Sequence, residues 1–207
     1  MNKFYINLDS NPERAEYFDN TYQRWRAVTR DEVDARTKNK MISYWNTKPE
    51  NHLGKCACFL SHYKLLKYIV NHKLDDVLVV EDDARQTTEL PENMDKFTYL
   101  AGFFINKKVT DGPLREVPKQ ELGLNSLEDK NYYICTTVAY YLPKWDDALD
   151  ILLYLDRQKR WRAIDIMLMK CPIKKDYQYP APFEEAPMGS NIRKGKIKYC
   201  NMWYEYK

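Results

Sequence analysis

The chain has 207 residues, enough for one α/β domain with a substantial core. Its 33 basic residues against 30 acidic ones leave a net charge of +3, too small to argue for nucleic acid. No apolar stretch approaches the about 20 residues that cross a bilayer, and the opening residues are not a signal peptide. The expectation is a soluble, cytoplasmic protein. Five cysteines, an odd number, with only Cys56-Ala57-Cys58 closely spaced, read as reduced thiols rather than a disulfide or zinc framework. Seventeen tyrosines and five tryptophans suit a carbohydrate or nucleotide site, whose rings they can stack on, but they suit core filling equally well.

Phe4-Tyr5-Ile6-Asn7-Leu8 predicts a first strand. Asn11-Pro12-Glu13 offers helix-start chemistry: a cap, a proline at the first helical position and an acid in the first turn. Phe18, Tyr22 and Trp25 recur behind it at helical spacing. Arg26-Ala27-Val28 reads as a second short strand, and residues 29–53 are polar and mixed. Ser61 stands where a cap is expected for a helix with apolar positions Leu65, Leu66, Ile69 and Val70.

The next segment is the most informative. In Asp75-Asp76-Val77-Leu78-Val79-Val80-Glu81-Asp82-Asp83-Ala84, four apolar residues run straight into three carboxylates. A short apolar run bounded by charge predicts a buried strand of a mainly parallel sheet. The acids then sit where the strand leaves the sheet, the edge at which open α/β sheets bind ligands. Three crowded carboxylates repel one another, and a divalent metal with oxygen ligands would relieve them. The plainer reading is that they open a following helix, where negative charge suits the helix dipole.

Phe97 to Ile105 is another apolar run, broken at Gly102, where backbone is expected to pass close to something. Residues 106–131 carry five charges of each sign with Pro and Gly, and read as a loop. Tyr132 to Leu142 returns to β-type residues. Trp145, Ala148, Leu149, Leu152 and Leu153 mark an amphipathic helix, and Arg162 to Met169 a further helical run. Within that run Asp165 lies between Ile164 and Ile166-Met167-Leu168. A lone carboxylate is awkward there unless it caps a helix or does chemistry. The tail from Pro180 mixes Pro and Gly with Arg193, Lys194, Lys196 and Lys198. Without repeat or linker, the alternation predicts one α/β domain over residues 1–207.

Several blocks also occur together in a recognisable order. They are Tyr5-Ile6-Asn7-Leu8-Asp9 with Arg14, Trp25-Arg26-Ala27-Val28, Gly54-Lys55-Cys56-Ala57-Cys58-Phe59-Leu60-Ser61-His62, and Val79-Val80-Glu81-Asp82-Asp83-Ala84. Thr136-Thr137-Val138-Ala139-Tyr140, Ile164-Asp165-Ile166-Met167-Leu168 and Gly189-Ser190-Asn191-Ile192 follow. In these blocks the chain resembles glycosyltransferase family 25, which includes lipooligosaccharide and procollagen galactosyltransferases. It departs from the family pattern at Lys55, in place of a glycine, and at Thr29-Arg30, in place of Asp-Gly. It also looks like the compact capsid-glycan glycosyltransferases of large algal DNA viruses, in which case the compartment is the host cytoplasm.

The resemblance implies a GT-A fold, a Rossmann-like, mostly parallel sheet flanked by helices, binding a UDP-sugar and Mn²⁺ or Mg²⁺. It implies Glu81 and Asp83 as metal ligands, with Asp82 orienting the ribose or donor sugar. It places uridine by Asn7, Leu8, Ala27 and Val28, with Arg14 on the diphosphate or base loop. Ser61 and His62 fall at the donor site, and Thr137 and Tyr140 line the donor-sugar pocket. The basic tail, Arg193, Lys194, Lys196 and Lys198, either folds over the bound diphosphate or is a solvated terminus. Asp165 is implied as the base of an inverting transfer, taking the proton of the attacking hydroxyl. The acceptor would be an oligosaccharide or glycoprotein, and the donor sugar glucose, galactose or rhamnose. Two other readings stay open: a metal-dependent phosphotransferase or nuclease, and a non-catalytic carbohydrate-binding domain.

Overall fold

A computed structural model describes residues 1–42, 48–106, 121–127 and 132–186. The elements begin with β1 (Asn2–Asn7), a 3-10 helix (Pro12–Tyr17), β2 (Tyr22–Arg26), α1 (Ala35–Lys40) and α2 (Pro49–His72). Next come β3 (Val77–Glu81), β4 (Ala84–Gln86), β5 (Phe97–Tyr99), β6 (Phe103–Asn106) and β7 (Gly123–Ser126). The chain continues through β8 (Tyr132–Cys135), β9 (Ala139–Leu142), α3 (Trp145–Arg157), α4 (Ile164–Lys170), β10 (Lys175–Tyr179) and β11 (Phe183–Glu185). The fold is mixed α/β, as expected.

Its centre is a seven-stranded sheet in the order β2-β1-β3-β9-β5-β10-β7. β2, β1 and β3 are mutually parallel neighbours. β9 then runs against both β3 and β5, β10 lies parallel to β5, and β7 closes the edge antiparallel to β10. Five strands thus point one way and two the other. Two small ribbons, β4 with β11 and β6 with β8, stand beside the sheet.

β3 shows why its sequence is apolar without alternation. Val77 and Val79 face a core shared with Phe4, Ile6, Phe59, Leu65, Leu66, Ile69 and the α3 residues Ile151 and Leu155. Leu78 and Val80 face the opposite core with Tyr5, Leu100, Tyr141 and Phe183. The four apolar side chains of β3 are fully buried, each contributing about 1.5–3 kcal/mol relative to exposure. Both faces of the strand are covered, so both sets of side chains must be apolar.

Two helix expectations are corrected. Phe18, Tyr22 and Trp25 do not share a helix: only a 3-10 turn forms over Pro12–Tyr17, and Tyr22 and Trp25 lie on β2. Being three residues apart on a strand, they point to opposite faces. Trp25 packs edge-on to Phe4 and against Tyr68, whereas Tyr22 meets Phe18, which stacks on Tyr5. Parallel pairing with β1, from Lys3–Tyr22 to Asn7–Arg26, overrides the local spacing.

Ser61 does not start a helix either. α2 begins twelve residues earlier, at Pro49, and ends at Lys73 in the left-handed conformation. Ser61 is mid-helix, its hydroxyl donating to the Ala57 carbonyl four residues back at 2.8 Å.

The Phe97–Ile105 run divides into β5 and β6, in different sheets. At the break, Gly102 has φ +143°. A Cβ there would come within 2.4 Å of Ile134 Cγ2 and 3.0 Å of the Cys135 carbonyl, which bears out the close approach expected of it. β7 arises within the segment read as a loop, and the expected helices near residues 145 and 164 form as α3 and α4. The four described cysteines are free thiols. Among the described residues no helix is long and apolar enough to cross a membrane. The Gly189–Ile192 block and the basic tail lie outside the described residues.

Candidate active site

Three adjacent parallel strands end side by side, and the residues that follow them wall a cavity of about 490 Å³. Leu8 and Ser10 follow β1, Ala27 to Asp31 follow β2, and Glu81, Asp82 and Asp83 close β3. This is the strand edge at which α/β sheets bind ligands, and the volume suits a small organic molecule.

α2 supplies the opposite wall through Gly54, Ala57, Cys58, Ser61 and His62. These positions recur every three or four residues, so they form one helix face. Four of the five are small, which is why open space remains between helix and sheet. Ser61 also fixes the sheet side, accepting the Val28 backbone N–H at 2.8 Å in a buried hydrogen bond.

The acidic motif is held residue by residue. Asp82 is buried, with Arg14 Nη1 donating to Oδ1 at 2.8 Å and Asn7 Nδ2 to Oδ2 at 3.0 Å. Burial pushes its carboxyl above the usual range, against the Arg14 charge and the two hydrogen bonds. Arg14 is therefore a buried partner of the motif that also borders the cavity, and Asn7 lies beneath it, fully buried. Asn7 in turn accepts from Arg24 Nε at 3.0 Å. From Arg24 the chain of contacts runs through Asp9 and Arg26 to Glu32, which accepts from the Thr29 N–H in the cavity wall.

Glu81 is engaged from two sides. Its Oε1 accepts from the Thr137 hydroxyl and lies 3.2 Å from His62 Nε2, while His62 Nδ1 lies 3.1 Å from the Tyr140 hydroxyl. Burial raises the Glu81 carboxyl, but the hydrogen bond and charge of His62, with Thr137, outweigh it and leave it lowered. Thr137 and Tyr140 thus support Glu81 and His62 rather than lining the cavity. Thr136 beside them holds φ +101°, strained for a β-branched residue, with its hydroxyl accepting from the Val138 N–H at 3.0 Å.

Asp83 differs from its neighbours. Its Oδ1 is buried and has no hydrogen-bond partner among the described residues. Burial, then the charges of Glu81, Glu185 and Asp82, drive its carboxyl well above the usual range against the pull of Arg14. Glu185 was not signalled by the sequence. It reaches the motif through the β4–β11 ribbon, where it pairs with Ala84 and the Ala186 N–H donates to the Asp83 carbonyl at 2.7 Å.

Asp165 sits in the first turn of α4 and is half-buried, its Oδ1 accepting the N–H of Ile166 at 2.8 Å. It does not line the cavity. Its charge is nevertheless felt at Cys58, whose thiol is held well above its ordinary range by burial, then Glu81, Asp165 and Asp83.

Residues 1–144 match the family model described as "Glycosyltransferase family 25 (LPS biosynthesis protein)". The chain belongs to glycosyltransferase family 25. The match takes in the cavity, the acidic motif and the Thr137–Tyr140 support, and stops before Asp165. A "Glycosyltransferase 25 family member" from Drosophila pseudoobscura pseudoobscura is 32% identical over 96 residues, covering 40% of this chain and 15% of that protein. The chain therefore spans a small part of that relative's length. Among solved structures, the nucleoside-diphosphate-sugar pyrophosphorylase from Vibrio cholerae RC9 is similar over 84% of this chain and 71% of that chain. At 8% identity and a TM-score of 0.36, that likeness is too weak to argue from.

Proposed function

We propose that this family 25 chain is a single GT-A domain and an inverting glycosyltransferase. It takes a hexose or deoxyhexose from a UDP donor and passes it to a glycan or glycoprotein acceptor. One observation carries this reading: the buried Oδ1 of Asp83, without a hydrogen-bond partner among the described residues, at the edge of a cavity built from parallel strand ends.

Mn²⁺ or Mg²⁺ fits these residues. The donors are carboxylate oxygens, suited to hard cations, and the orphaned Oδ1 is a buried acceptor that a cation would satisfy. Asp83 would hold it, with Glu81 as a second carboxylate. When bound, the cation offsets the negative charge that gathers on the leaving diphosphate.

The chain's own residues do the rest. Leu8, Ala27 and Val28 offer an apolar wall for the uracil ring. Ser61 keeps that wall in place through the Val28 N–H. Arg14 and Asn7 hold Asp82, so its part is to fix the motif beside the donor ribose. His62, braced by Tyr140, orients Glu81. Asp165, in the first turn of α4, is assigned to take the proton of the acceptor hydroxyl.

The test is calorimetric titration with UDP, GDP and CMP, each with and without Mn²⁺. Metal-dependent binding of UDP alone, lost in Asp83→Ala, is the expected result. Absence of metal-dependent nucleotide binding would overturn the reading and leave a sugar-binding domain.

A further inference from the structure

One group of side chains on the cavity wall has a chemistry different from the carboxylate motif. Cys58 and His62 are four residues apart on α2, so they project from the same helix face. Their ligand atoms and a carboxylate oxygen of Glu81 all lie within 4.8 Å of one another. The three side chains border the same cavity, one beside another.

From this we infer that Cys58, His62 and Glu81 form a second metal site, one for a thiophilic divalent cation such as Zn²⁺. One sulfur, one nitrogen and one oxygen is a donor set that zinc accepts and that manganese and magnesium disfavour. His62 Nε2 and Glu81 Oε1, 3.2 Å apart, are at a spacing that two ligands of a tetrahedral zinc adopt after small adjustments. Three protein ligands leave a fourth position on a tetrahedral zinc, and all three of these border the cavity.

The support behind the ligands is already built. A histidine bound through Nε2 keeps its proton on Nδ1 and donates it to a fixed acceptor. His62 Nδ1 faces the buried Tyr140 hydroxyl at 3.1 Å, which provides that acceptor. Glu81 is braced by the Thr137 hydroxyl. Binding expels the thiol proton of Cys58 and any proton on Nε2 to solvent, with no change of oxidation state. Because Glu81 belongs to this group and to the acidic motif, zinc here would inhibit whatever reaction the motif performs.

The experiment uses the whole chain, reduced and stripped of metal, titrated with Co²⁺ and then with Zn²⁺. The expected result is a thiolate-to-cobalt absorption that saturates at a single equivalent and is bleached by Zn²⁺. It should vanish in Cys58→Ser and persist in Cys56→Ser. Cys56 is the sharp control because its Sγ lies 3.8 Å from His52 Nε2, a second Cys–His pair on the same helix. An absorption that follows Cys56 instead of Cys58 would overturn the assignment, as would its absence from the wild type. Cys58→Ala is measured in parallel, and circular dichroism checks that each variant is folded. The readout needs neither nucleotide nor transfer, so its failure and failure of the glycosyltransferase reading are separate results.

Discussion

Arg14 and Asp82, sixty-eight residues apart, meet at 2.8 Å with their side chains only 7% and 10% exposed. Such a pair repays its desolvation only while both partners are present. Arg14→Ala leaves the enclosed Asp82 carboxyl without its cation and should cost about 3–5 kcal/mol of stability, read by urea unfolding. The double variant Arg14→Met with Asp82→Leu should recover much of that loss, since it removes both charges. A single variant as stable as wild type would show that water already reaches Asp82.

Asp83 carries a pH dependence whose sign is opposite to that of most structural carboxylates. Its carboxyl lies higher in the folded protein than in the unfolded chain. The folded state therefore binds more protons between the two values, and stability falls as pH rises from about 4 through the raised folded value. Asp83→Asn should flatten that fall and raise the melting temperature of metal-free protein at neutral pH. With Mn²⁺ and UDP present the order should reverse, because ligand binding stabilises the wild type alone. Melting curves over pH, with and without ligand, check both halves.

Ser61→Ala removes the acceptor of the buried Val28 N–H. An unsatisfied buried donor costs about 1–3 kcal/mol. The variant should lose stability in that range and bind UDP more weakly, since Val28 is part of the cavity wall. Denaturation and calorimetry on the same preparation separate the two effects.

Gly102→Ala should be severe for so small a change. The added methyl would meet Ile134 at 2.4 Å and the Cys135 carbonyl at 3.0 Å, on a backbone that L residues rarely adopt. Overpacking and strain together predict a loss of about 2 kcal/mol or more, seen as a lowered denaturation midpoint.

Asp165→Asn is the cleanest probe of the proposed base, because asparagine can still accept the Ile166 N–H. Stability and UDP binding should stay at wild-type levels while kcat falls by roughly 10²–10⁴. Full transfer activity in this variant would assign Asp165 to the helix end alone.

The acidic strand was legible because burial on both faces leaves one pattern, Val77 to Val80 followed by charge. The Phe18–Tyr22–Trp25 spacing misled because its steps of four and three match a helical period, which the pairing of Tyr22–Arg26 with Lys3–Asn7 overrides. Ser61 misled for a subtler reason. The apolar pattern of α2 is plain only from Leu65 onward, whereas its first half presents Gly54, Ala57, Cys58 and Ser61 to a cavity. A face that borders empty space carries no hydrophobic signature. Glu185 and Ala186 reach Asp83 through a three-residue ribbon, too short to leave a period in the sequence. The Arg14–Asp82 pair joins distant segments, and no local rule connects them.

The β6–β8 ribbon sets Asn106 opposite Tyr132, so the chain that departs at one strand must come back to the other. β8 then leads through Thr136 and Thr137 directly to Glu81. Between β6 and β8 the chain also supplies β7, which closes the edge of the central sheet against β10. β7 and β3 do not pair with each other, yet the run of chain through β8 joins the far edge of the sheet to the support of the acidic motif.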